Sequence, residues 1–170
     1  MDPLLLLLRI VHIGSAMIWF GGAITFSFFV DPTARALGPA AAPFMESLMR
    51  RGVGILFPVI GALTVLSGAA LYWRDSGGLQ TAWITSPSGL AFTIGGIAAI
   101  IAFVGGMVLI GPSVAEETAV QRELAASGGV PDAGQQARLA RADARMQLAT
   151  RVDLPLIVVA ALTMAVGRYL

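Results

Sequence analysis

The chain has 170 residues, 56% of them apolar and only 12% charged, with 11 basic residues, all arginine, against 10 acidic ones. A soluble domain ordinarily carries about a quarter charged residues, so this composition points into a membrane and away from nucleic acid. With no cysteine and no lysine in the sequence, disulfides, iron–sulfur ligation, thiol catalysis and Schiff-base chemistry are all excluded.

Four apolar runs, about 3–30, 52–73, 87–111 and 154–170, organise the chain. Crossing ~30 Å of hydrocarbon takes about 20 helical residues, and each run has about that length or more. The runs are continuous rather than alternating, so they predict helices and not a barrel. The expected fold is all-α: a four-transmembrane-helix bundle in one domain, 1–170, with a helical hairpin at about 113–150 between spans 3 and 4.

Span 1 starts at Pro3, a favourable first-turn residue. The opening Met-Asp-Pro lacks a basic stretch and the run is too long for a signal-peptide core, so it reads as a retained helix. Its end falls at Asp31-Pro32, with Asp31 expected as the N-cap of the next helix. Residues 33–50 read as a short interfacial helix, interrupted near Gly38-Pro39 and Pro43. Span 2 holds Pro58, which implies a kink or a locally freed carbonyl, and ends in the interfacial anchor Tyr72-Trp73-Arg74. Trp83, in the loop 75–86, is expected at the interface, and Ser86-Pro87 caps span 3. After span 3, Ser113-Val-Ala-Glu116 matches a capping box that would restart a helix to about Ala126. Residues 127–134 form a turn, and a helix over about 135–150 enters span 4 near Asp153-Leu-Pro155. On the hairpin, Glu116, Glu117 and Glu123 stand on one arm and Arg138, Arg141 and Arg145 on the other.

Short arginine-rich segments stay in the cytoplasm. Arg35, Arg50 and Arg51 lie between spans 1 and 2, and Arg122, Arg138, Arg141, Arg145 and Arg151 between spans 3 and 4. Only Arg9, Arg74 and Arg168 lie on the other side. The hairpin is therefore expected in the cytoplasm and both termini outside it, in a bacterial inner membrane.

Helices in lipid associate through small residues. The candidate seams are Gly14, Gly21 and Gly22 in span 1, and Gly61, Thr64 and Gly68 in span 2. Span 3 offers Gly95, Ala98, Ala99, Ala102 and Gly106, and span 4 offers Ala161 and Ala165. Trp19, Phe20, Phe26, Phe28 and Phe29 surround span 1 and leave apolar surface for lipid, a pigment or another protein.

His12, the only histidine, lies about two turns into span 1, with Arg9 three residues earlier on the same face. Ionisable groups inside a span are candidate functional groups. A neutral imidazole can ligate haem iron or chlorophyll magnesium, with Arg9 pairing with a propionate. The alternative is a histidine bonded to a carbonyl or hydroxyl of span 2. Leu8 occupies the position four before His12 where light-harvesting helices carry a small residue, which disfavours a pigment. Met17 stands about 140° round the helix from His12, so Met17, Met107 and Met164 read as packing, and the metal assignment stays open. Asp153 is expected to pair with Arg50, Arg51 or Arg151. No phosphate loop, zinc spacing or nucleophile–base pair is visible, so no catalytic residue is named.

The stretch Arg9-Ile-Val-His12-Ile-Gly-Ser-Ala-Met-Ile-Trp19-Phe20-Gly21-Gly22 resembles the first helix of small bacterial four-helix membrane proteins related to the copper-resistance protein D superfamily. The rest of the chain is similar in layout. A distant cousin in that superfamily is the haem-dependent protoporphyrinogen oxidase of bacterial membranes, whose first-helix histidine binds haem. The resemblance implies haem or copper binding at His12 alone. The oxidase also relies on a lysine in a later span, and this chain has none.

Two functions are expected from these readings. One is a non-enzymatic accessory subunit of a respiratory or photosynthetic membrane complex, docking other subunits through Arg138, Arg141 and Arg145. The other is a stand-alone haem- or copper-binding membrane protein using His12.

Overall fold

The computed structural model describes residues 2–170, with Pro39 described by its main chain alone. Met1 lies outside the described residues. The elements in order are α1 (Pro3–Leu37), α2 (Ala42–Arg50), α3 (Val53–Asp75), α4 (Thr81–Ile84), α5 (Pro87–Ser127) and α6 (Ala133–Gly167). Among the described residues there is no strand. The helices α1, α3, α5 and α6 are long and apolar enough to cross a bilayer. The protein is an all-α, multi-pass membrane protein.

Two of the spans run further than expected. α1 continues through Asp31-Pro32 and α5 through Gly111-Pro112, each by way of a widened turn, at Phe26–Val30 and Gly106–Ile110. The main-chain N–H of Asp31 donates to Phe26 O and that of Gly111 to Gly106 O, five residues back instead of four. A proline ring collides with the carbonyl four residues before it and offers no N–H. A wide turn just ahead of the proline moves that carbonyl aside, and the helix proceeds. Asp31 is therefore inside a helix and not its N-cap; its carboxylate accepts from Arg35 Nε at 2.9 Å. Ser113 likewise caps nothing, because it is fully buried and donates to Leu109 O at 2.7 Å.

Gly38, at φ 55°, ends α1 and leads through one tight turn, Gly38–Ala41, into α2. Pro43 starts that helix and does not interrupt it. Met45, Leu48 and Met49 of α2 are half-buried, while Glu46 and Arg50 pair on the exposed side at 3.2 Å. α6 runs 35 residues without a break, through Asp153 and Pro155. It opens on a capping box that the sequence reading missed. Asp132 Oδ1 accepts from Gln135 N at 2.8 Å, and Gln135 Oε1 accepts from Asp132 N at 3.1 Å.

The bundle consists of two helix pairs. α5 and α6 make the most extensive contact, α1 and α3 the next, and α3–α5 and α1–α6 contacts close the ring. The core is small: Ala98 and Ala99 of α5 meet Ala160 of α6, with Trp19 and Leu156 packed against them. Trp19 and Phe103 meet edge-to-face at 6.2 Å between centroids. Gly61 makes the room, since a Cβ there would lie 2.7 Å from the Phe103 ring.

The seams on α3 and α5 fall where expected. That on α6 does not: Ala161 and Ala165 face out, and Ala160 and Gly167 face in. On α1, Gly14 and Gly21 also face out, and Ser15 is the buried small residue. Of the aromatic residues on α1, Phe28 and Phe29 point outward, while Trp19, Phe20 and Phe26 are half-buried.

Candidate functional site

Among the described residues, three polar groupings bear on function. The first surrounds His12, where α1 crosses α3. Gly68 leaves the face of α3 open there, since a Cβ would lie 2.8 Å from His12 Cε1. The imidazole drops into that gap. Its Nδ1 stands 2.9 Å from Thr64 O and 3.4 Å from Ser67 Oγ. Thr64 Oγ1 lies 2.8 Å from Ser15 Oγ, so a short polar ladder joins the two helices.

A carbonyl oxygen only accepts, so Nδ1 carries the hydrogen at that 2.9 Å contact. In the neutral ring this leaves Nε2 with a free lone pair. Metal-ligating histidines commonly fix their second nitrogen in this way. Both readings of His12 thus meet in one residue: it is bonded to span 2, and its other nitrogen stays available. Arg9 is exposed and has no carboxylate within 4.0 Å among the described residues. Also among the described residues, no three His, Asp or Glu side chains converge as a metal site.

The second grouping is the hairpin formed by the end of α5 and the start of α6. Val120, Ala142 and Ala149 are fully buried between the arms. Arg138 bridges to Glu116 and to Glu123, with Nη1 2.8 Å from Glu123 Oε2. Gln135 adds a bond to the same carboxylate at 3.0 Å. Arg141 and Arg145 are exposed and form no ion pair among the described residues. The three arginines expected to act together therefore divide: one fastens the hairpin and two face out.

An unforeseen contact ties the hairpin to α1. Arg35 joins Asp31, one turn earlier, to Asp143 on α6. Gln147 Nε2 donates to the second oxygen of Asp143 at 2.9 Å. The four-residue spacing of Asp31 and Arg35 was visible in the sequence. The Asp143 partner was not, because it requires α1 to continue beyond Pro32.

The third grouping is Asp153 alone. It is 8% exposed and packs on Gly105 and Gly106 of α5. It pairs with none of Arg50, Arg51 or Arg151, contrary to expectation, and its Oδ1 is buried without a hydrogen-bond partner. The continuous α6 turns Asp153 toward α5 while Arg151, two residues earlier, is exposed on another side.

No protein family matches the chain, nor does any curated protein or solved structure.

Proposed function

We propose that this protein is a non-enzymatic accessory subunit of a larger respiratory or photosynthetic complex in a bacterial inner membrane. The hairpin lies in the cytoplasm and both termini lie outside it. What supports the docking role is the pair Arg141 and Arg145. They stand exposed and uncompensated on a hairpin whose inner face is closed by Val120, Ala142 and Ala149. In lipid, apolar contact with another helix gains little over contact with acyl chains. Charges outside the lipid can steer and orient a partner. Arg138 fastens the hairpin instead, so the docking surface is Arg141 and Arg145.

Purification under mild conditions tests this reading. The wild-type chain should come in a complex, and the Arg141→Gln/Arg145→Gln variant should lose that partner as salt rises. An unchanged complex in the variant, at low and moderate salt, removes the docking role.

One observation favours a second reading, a haem- or copper-binding protein. The Nδ1–H of His12 is held by Thr64 O at 2.9 Å, which leaves Nε2 as a ready ligand. The resemblance of residues 9–22 to copper-resistance protein D relatives favours the same residue. A Soret band in the purified chain, lost in His12→Ala, would establish haem. A colourless chain that also binds no copper would leave His12 as an interhelical fastener.

A further inference from the structure

A shallow cleft of about 290 Å³ opens between α1 and α6 at the arginine-rich end of the bundle, lined by Asp31, Arg35, Gln147, Thr150 and Arg151. Its depth follows from the sequence. Asp31 is the first polar residue after the apolar run of span 1, and Thr150 and Arg151 lie just before that of span 4. The lining therefore sits where hydrocarbon gives way to headgroups.

The charges are unevenly engaged. Arg35 is held by two carboxylates, Asp31 and Asp143, whose charges more than offset its own. Gln147 is turned to Asp143. Arg151 has no carboxylate within 4.0 Å and Thr150 Oγ1 has no hydrogen-bond partner among the described residues. A guanidinium and a hydroxyl, both unengaged and one residue apart, thus face the same opening.

We infer that this cleft seats the headgroup of a phospholipid, with its phosphodiester on Arg151 and Thr150 and its acyl chains running down the bundle. Arg151 is the guanidinium of the lining with no carboxylate on it among the described residues, so its N–H groups can bond phosphodiester oxygens directly. Charge-assisted bonds from arginine to phosphate oxygens are among the stronger polar contacts. Basic sites between spans at the headgroup level are a recurrent mode of lipid recognition. An acyl tail adds what a free phosphate lacks, because it keeps the ligand at high local concentration in the plane of the cleft.

The test uses the full-length protein in detergent. Thermal unfolding is followed by circular dichroism with added dioctanoyl phosphatidylglycerol, with dioctanoylglycerol and with inorganic phosphate. Phospholipid retained by the freshly purified protein is counted separately by phosphorus analysis. The short-chain phospholipid should raise the midpoint of the wild-type chain. Dioctanoylglycerol, which lacks the phosphodiester, and inorganic phosphate, which lacks the tails, should not. Arg151→Gln should weaken the effect about tenfold, the loss of one charge-assisted contact. Thr150→Val should weaken it less, and Arg122→Gln, at an exposed arginine of the hairpin, should change nothing.

Equal response to dioctanoylglycerol would make the site an acyl groove without headgroup recognition. Equal response to inorganic phosphate would make it a simple anion site. Either result overturns the inference, as does an unchanged response or unchanged retained phospholipid in Arg151→Gln. If that variant unfolds, Thr150→Val decides alone, because it keeps shape and charge.

Discussion

Asp153 places a carboxylate against Gly105 and Gly106, with Oδ1 buried and unpartnered. An unsatisfied buried polar group costs about 1–3 kcal/mol, and more if charged. Asparagine has the same shape without the charge. Asp153→Asn should therefore raise the midpoint of thermal unfolding in detergent, whereas Asp153→Leu should overfill the space beside Gly105. A lower midpoint for Asp153→Asn would mean that the carboxylate has a partner in the membrane. Gly68 gives the opposite kind of prediction. A methyl there would sit 2.8 Å from His12 Cε1, so Gly68→Ala should push the imidazole off Thr64 O. Overpacking of this sort costs typically 1–3 kcal/mol. Removing the ring as well, in the double variant with His12→Ala, should recover part of that loss. A strictly additive pair would show that the methyl and the ring do not meet.

Helix ends and helix interruptions decide the next level. Asp2 caps α1 through Leu4 N at 2.9 Å and pairs with Arg74 at the end of α3. The Leu4 N–H foremost, with Arg74 beside it, holds the Asp2 carboxyl below its ordinary value. A lowered value means that this contribution is complete above the ordinary carboxylate range, about 3.9. It is lost as the pH falls through the folded value. The protection of the Leu4 and Leu5 amides, measured against their intrinsic exchange rates at each pH, should fall in acid, and Asp2→Asn should remove most of that pH dependence.

The wide turn before Pro112 makes a separate prediction. A proline in an ordinary helix interior costs about 3 kcal/mol. The wide turn relieves the ring's collision, so Pro112→Ala should stabilise by clearly less than that. A gain of the full amount would show that the turn relieves nothing. These turns also mark where the sequence stopped being legible. Asp-Pro and Ser-x-x-Glu are the signals by which helices ordinarily start, and they predicted breaks at 31 and 113. The structure absorbs each proline with one widened turn, at Phe26–Val30 and Gly106–Ile110, and keeps the helix going. From that single difference follow the reach of Arg35 to Asp143 and the burial of Ser113. The positions of the spans were legible because lipid demands long apolar runs. The inward face of α6 was not, because nearly every residue from Leu154 to Gly167 is apolar and small residues occur on more than one side. His12 was legible as the only intramembrane histidine, but its choice of Thr64 O depended on the gap at Gly68.

Across the whole molecule, the proposed orientation rests on charge asymmetry, and the structure sharpens how it can be tested. Eight arginines flank one end of the bundle, at positions 35, 50, 51, 122, 138, 141, 145 and 151, and three the other, at 9, 74 and 168. The lopsided end holds the hairpin, α2 and the cleft beside Thr150, so the docking reading requires that it face the cytoplasm. Single cysteines can test this, because the natural chain has none. Ser76 is the obvious loop position, yet it is 1% exposed, with its hydroxyl accepting from Leu79 N at 2.9 Å. Gln80 in the same loop and Ser127 at the hairpin tip are both exposed. A membrane-impermeant maleimide added to intact cells should label Gln80→Cys, while Ser127→Cys should react only after the membrane is opened. The reverse pattern would invert the molecule, and with it the side from which Arg141 and Arg145 could meet a partner. Labelling of both positions from one side would contradict the four crossings themselves.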